Sequence, residues 1–201
     1  MKTDNREKVS VYQKYGTAIN FGIITFIAII IFRNYIFLGG WPGGGDTLGW
    51  VAREYLYGND LRWLNIWRPY SFGFVEGINA IDFFLMLINT VAQSGATTVK
   101  VFMFSTFILA GFSMYIFAYR YTQNKLAALS ASFVYILNQW FFTQLTEGHL
   151  GILFGYALGP LLFLLLARAL EHGRFKDLTL FAVALSICLT AFNPLLVVIY
   201  A

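Results

Sequence analysis

Apolar residues along this chain gather into long runs separated by short polar clusters. Five runs, about 16–38, 98–119, 126–145, 150–170 and 178–200, approach the roughly 20 residues that a helix needs to cross the hydrocarbon core. A sixth run, Ile78 to Val91, has only about 14 residues and contains Asp82. That length suits a re-entrant or interfacial helix better than a crossing. Met1 to Lys14 is polar and basic, but no small-residue cleavage site follows the first apolar run, which therefore reads as a retained helix rather than a signal peptide. The pattern predicts an all-α polytopic membrane protein of about five transmembrane helices. Amphipathic and re-entrant helices are expected in a long first outer loop, 39–97.

Charge decides between five spans and six, because a crossing at 78–91 would invert everything after it. With five, nine basic residues lie on the side of the N-terminus: Lys2, Arg6, Lys8, Lys14, Arg120, Lys125, Arg168, Arg174 and Lys176. Five lie opposite: Arg33, Arg53, Arg62, Arg68 and Lys100. Six spans would reverse the proportion to five and nine. Because cytoplasmic loops carry the excess of Lys and Arg, five spans with a cytoplasmic N-terminus fit better in a cell-membrane protein.

Composition agrees with this picture. Charged residues make up 12% of the chain and hydrophobic ones 58%, whereas soluble domains carry about 25% charge. Aromatics reach 19%, with 21 Phe and 12 Tyr, which suits lipid-facing and interfacial surfaces. No basic run suits a nucleic-acid backbone, so nucleic acid is not an expected partner. Cys188 is the single cysteine, so no intrachain disulfide forms. The last run reaches Tyr200 without a polar tail, so the 201 residues are expected to be the N-terminal part of a longer module.

Candidate chemistry collects on the outer side. Asp46, Glu54, Asp60, Glu76, Asp82 and Glu147 lie there with Trp41, Trp50, Trp63 and Trp67. The loop opens with Gly39-Gly40-Trp41-Pro42-Gly43-Gly44-Gly45-Asp46-Thr47, a glycine density that permits positive φ and close approach of backbone to a ligand. From Asp46, Leu48, Val51, Ala52, Tyr55 and Leu56 recur at helical spacing, and Gly58-Asn59-Asp60 ends the segment. Asp46 suits two roles, a helix N-cap or a metal ligand or catalytic base, and one carboxylate can serve both. Thr146-Glu147-Gly148-His149 reads either as a polar turn or as a second acid and an imidazole on the same face as Asp46. Together they suit proton transfer or a divalent cation. Arg53, Arg62 and Arg68 suit bidentate recognition of phosphate, or pairing with loop acids such as Glu54 and Asp60. His172 falls on the opposite side from His149, so no haem is expected. Asn138, Gln139 and Gln144 read as polar packing devices within a span, and Pro194 as a kink in the last one.

This layout resembles the N-terminal part of GT-C fold glycosyltransferases, multispanning enzymes that take sugars from polyprenyl-phosphate carriers. The resemblance rests on a first span leading into Gly44-Gly45-Asp46-Thr47, a long outer loop before the second span, and Glu147-Gly148-His149 followed by Gly155-Tyr156-Ala157-Leu158-Gly159-Pro160. It implies a lipid-linked sugar as substrate, Asp46 as base or metal ligand, Glu147 as a second ligand for Mg or Mn, and His149 as a helper. Many members carry paired acids in the first loop, whereas Asp46 stands alone. Two rival readings are a non-catalytic subunit packed against further membrane subunits, and a transporter fragment with Asp82, Lys100 or Asn193 along its path.

Overall fold

A computed structural model of the chain describes residues 11–37, 44–47, 51, 67–68, 74–75 and 80–191. Among these the fold is helical: α1 Val11–Phe37, α2 Ala80–Ala92, α3 Gly95–Thr122, α4 Lys125–Ile136, α5 Gln139–Glu147, α6 Leu150–His172 and α7 Phe175–Ala191. Within the long loop, Trp67–Arg68 pairs as a two-residue antiparallel ladder with Phe74–Val75. Lys14–Phe37, α3 and α6 are each long and apolar enough to cross a membrane, and α4 with α5 forms a fourth such segment if the bent pair counts as one. Large apolar side chains, including Phe26, Val134, Phe163 and Leu180, lie exposed on the outside of the bundle. Single exposed apolar residues are ordinary on a soluble fold, but a helix surface this apolar on several sides marks contact with lipid. These features make the chain an all-α membrane protein.

Of the fifth expected segment, 178–200, the described part lies in α7, whose 17 residues do not by themselves reach the length of a span. The part toward Tyr200 lies outside the described residues, as does Pro194. The short run containing Asp82 became α2, whose 13 residues span about 20 Å, well short of a hydrocarbon core. Its Ile81, Asp82, Leu85 and Asn89 are buried, while Phe83, Leu87 and Val91 are exposed. The helix folds back on α3, where the Thr98 hydroxyl donates to Asn89 Oδ1 at 2.9 Å.

α3 is the hub, packed by α1, α2, α4 and α6. Gly111 lets α1 come close: a Cβ there would stand 2.7 Å from Ile24 Cγ2. Phe21 stacks on Phe112 at 4.3 Å, and Phe32 meets Phe104 and Phe107 edge-on. The Ser113 hydroxyl donates to the Ala157 carbonyl at 2.6 Å, fastening α3 to α6.

Connectors separate the two ends of the bundle. At the proximal end, where α1 begins, α3 closes with Gln123 in the left-handed region and Asn124 caps α4 by accepting from Leu126 and Ala127 N–H. Gly173 in turn closes α6 at this end. Asn20, fully buried in α1, lies within donating distance of the Tyr115 hydroxyl (3.2 Å), the Tyr12 hydroxyl (3.1 Å) and the Lys125 carbonyl (3.0 Å).

The expected span 126–145 is not one straight helix. It breaks at Leu137-Asn138 with a 44° bend, because Asn138 leaves the helix to cap α5, accepting from Phe141 N–H at 2.9 Å. Opposite the break, Pro160 lies inside α6 and brings no N–H for the carbonyl of Tyr156. Each disruption is repaired from the other side. The Tyr135 hydroxyl donates to the Tyr156 carbonyl at 2.7 Å, and the Tyr156 hydroxyl donates to the Tyr135 carbonyl at 2.8 Å. The rings stack at 4.1 Å, and the Asn138 amide donates to the Tyr156 hydroxyl at 2.9 Å. A carbonyl in hydrocarbon has no water to turn to, which is why the defects sit face to face.

Candidate site at the distal end of the bundle

The distal end brings together the two segments that carry the candidate acids. α5 stops at Glu147 because Gly148 adopts φ 78°, and the His149 N–H donates back to the Gln144 carbonyl at 3.1 Å. This is a Schellman-type closure, which favours glycine at the left-handed position. It turns the chain within two residues, so that α6 starts at Leu150 directly after His149.

The Gly44–Thr47 segment lies against this turn. The Asp46 N–H donates to the Glu147 carbonyl at 2.9 Å, and Thr47 is fully buried. Both contacting glycines are needed for this approach. Gly44 has φ 123°, and a Cβ there would run into the Thr146 carbonyl; a Cβ on Gly148 would run into Thr47. At Gly45 a Cβ would meet Glu147 Oε2 at 3.5 Å, so the Glu147 carboxylate lies against the main chain beside Asp46.

The interlock sets the side chains. Asp46 Oδ2 lies 3.5 Å from His149 Nε2, with Asp46 largely exposed and His149 partly so. An exposed pair contributes about 0–1 kcal/mol, so the main-chain interlock, not the ion pair, holds the two loops together. On the other side of the ring, Gln144 Oε1 lies 2.6 Å from His149 Nδ1. The ring is thus held between two oxygens, Gln144 Oε1 at Nδ1 and Asp46 Oδ2 at Nε2, and the tautomer with Nδ1 as donor would leave Nε2 to face the carboxylate. An imidazolium would satisfy both neighbours at once.

Asp46, Glu147 and His149, expected on one face, are thus placed side by side. Thr47 and Val51 have helical backbone, and the rest of the segment expected to form a helix after Asp46 lies outside the described residues. Arg53 and Arg62 also lie outside them, and Arg68 is described only as a backbone position paired with Phe74. His172 stands at the far end of α6 from His149. Sequence reading missed Gln144 as a partner of His149 and Thr47 as the buried anchor. The glycine after Glu147, a helix-stop signal, predicts a chain reversal that brings positions 144 and 149 together.

Among the described residues no three His, Cys, Asp or Glu side chains converge closely enough to hold a metal ion. The contact that the described residues do show is that of Asp46 with His149, with the Glu147 carboxylate beside it. No family model, no curated protein and no solved structure matches this chain.

Proposed function

We propose that the chain is the N-terminal part of a membrane glycosyltransferase that takes a sugar from a polyprenyl-phosphate donor at the outer face. In this reading it crosses the membrane about five times, its N-terminus is cytoplasmic, and its distal end faces outward. The observation that carries the reading is the meeting of Asp46 with His149 across an interlock of two loops far apart in sequence. Packing at the membrane surface does not require an exposed carboxylate directed at an imidazole that is itself held by an amide.

Asp46 accepts the proton of the acceptor hydroxyl as its oxygen attacks the anomeric carbon. The carbon–oxygen bond to the carrier phosphate breaks, and the polyprenyl phosphate leaves with the electron pair. The proton then passes from Asp46 to His149 Nε2, where Gln144 and the regenerated carboxylate support the imidazolium. Arg53, Arg62 and Arg68 are the groups suited to the negative charge on the departing phosphate.

Membranes carrying the chain are incubated with polyprenyl-phosphate-linked sugars, and release of the free carrier phosphate is measured. Asp46→Asn keeps the main-chain bond to Glu147 but removes the base, and is expected to abolish release. Turnover at the wild-type rate in that variant sinks the assignment. Removing a general base typically lowers rate by about 10²–10⁴.

A further inference from the structure

A second polar region lies at the opposite end of the bundle, unrelated to the Asp46 site. Between α3 and α6 runs a groove of about 430 Å³ lined by Ile116, Tyr119, Arg120, Gln123, Leu164, Arg168 and His172. Ile116, Tyr119, Arg120 and Gln123 follow helical spacing along one face of α3, and Leu164, Arg168 and His172 do the same along α6. The helices run in the same direction there, since Ser113 contacts Ala157 and Arg120 contacts Glu171 further along both. Both stripes therefore change in the same sense, from Ile116 and Leu164 at depth to Arg120, Gln123, Arg168 and His172 at the helix ends.

The guanidiniums are oriented but not used up. Arg120 Nη2 lies 2.9 Å from Glu171 Oε2, and Arg168 Nη2 lies 4.0 Å from Asp177 Oδ1. Each Arg side chain is still about half exposed, at 49% and 50%. A guanidinium has five N–H donors, so a single carboxylate leaves several for another acceptor. His172 Nδ1 bonds the Arg168 carbonyl at 3.0 Å, which directs its ring along the groove wall. Arg174 and Lys176, exposed just beyond His172, add positive charge at the mouth.

We infer that this groove binds an anionic glycerophospholipid. Its phosphodiester lies between Arg120 and Arg168, and one acyl chain runs over Ile116 and Leu164. The gradient from apolar to cationic matches the gradient along a lipid molecule, and basic pockets between membrane helices suit anionic headgroups. A soluble phosphate would meet the same guanidiniums but would leave the apolar floor unused. The inference rests on the membrane topology proposed above and not on the transferase chemistry.

The test uses the chain reconstituted in nanodiscs of equal phosphatidylglycerol and phosphatidylcholine, with retained lipid read by native mass spectrometry. Phosphatidylglycerol is expected to be enriched at least about tenfold, and Arg120→Gln with Arg168→Gln to remove that enrichment. Because loss of Arg168 strips buried Asp177 of its partner, Ile116→Trp serves as a second variant that fills the groove with both charges kept. It is expected to lose the lipid as well. Equal retention of the two lipids by the wild type overturns the inference, as does enrichment that survives both variants. Displacement by inorganic phosphate at matched concentration also overturns it, by assigning the site to a soluble anion. A membrane-impermeant maleimide, applied to Arg174→Cys in a Cys188→Ser background, tests the topology separately. Labelling on the face opposite the N-terminus overturns the proposed topology. Labelling on the same face without lipid preference overturns the groove alone.

Discussion

Tyr135→Phe should destabilise the bundle, and Pro160→Ala should largely reverse the loss. The Tyr156 carbonyl lacks a helical donor because residue 160 is proline, and the Tyr135 hydroxyl fills that vacancy at 2.7 Å. Removing the hydroxyl leaves a carbonyl unsatisfied within an apolar bundle, which costs about 1–3 kcal/mol. Hydrogen bonds between membrane helices average only about 0.6 kcal/mol, so the lower half of that range is expected if the bundle can relax. Alanine at 160 restores an N–H one helical turn after Tyr156, giving the carbonyl an internal partner. In Tyr135→Phe/Pro160→Ala the penalty should then fall below about 1 kcal/mol, a coupling of about 1 kcal/mol between positions that share one acceptor. Reversible unfolding in mixed micelles of the wild type, both single variants and the double variant measures that coupling. Strict additivity would show that the Tyr135 hydroxyl does not compensate for the proline, and would refute the reasoning.

Gly148 and Gly173 both end helices in the left-handed region, but only Gly148 faces a neighbour that a Cβ would strike. Gly173→Ala should lose about 1–2 kcal/mol from backbone conformation alone, and Gly148→Ala about 1–3 kcal/mol more. Equal midpoints in an unfolding titration would remove the interlock from the account. Gly111→Leu should push α1 away from α3 at a cost of about 1–3 kcal/mol, while Gly22→Leu, with nothing within 4 Å, should be near neutral. Comparing the two by the same titration tests the crossing, and a similar response at both positions contradicts it. Asn20→Leu should lose about 1–3 kcal/mol by removing the buried amide that bonds the Tyr12 and Tyr115 hydroxyls and the Lys125 carbonyl, and an unchanged midpoint would contradict that.

Much of the helix layout was legible because apolar runs are punctuated by residues with one local use. The breaks between the runs 98–119, 126–145, 150–170 and 178–200 contain Asn124, Gly148 and Gly173, and the structure shows these residues capping or closing the helices there. The length of α2 was legible for the same reason. The break at Asn138 was not, since averaging over 126–145 hides two residues whose departure depends on Tyr156 across the interface. Pro160 was visible, but nothing local announces that its missing donor would be supplied by Tyr135. At the site, counting crossings placed Asp46, Glu147 and His149 on one face. Their contact depends on two main chains meeting at Gly44 and Gly148, a tertiary fact that the glycine run only permits.

Asn20 bears on how the chain is made. Its partner carbonyl at Lys125 lies 105 residues further along, and α1 emerges from the ribosome long before it. At about 5–20 residues per second, roughly 5–20 seconds separate the two. During that interval the amide of α1 is without its Tyr115 and Lys125 contacts, and leaving it in hydrocarbon is unfavourable. The first helix therefore settles only when the start of α4 arrives. Placement of the first helix is thus coupled through one buried amide to the arrival of α4, and α1 completes its contacts only after residue 125 has been made.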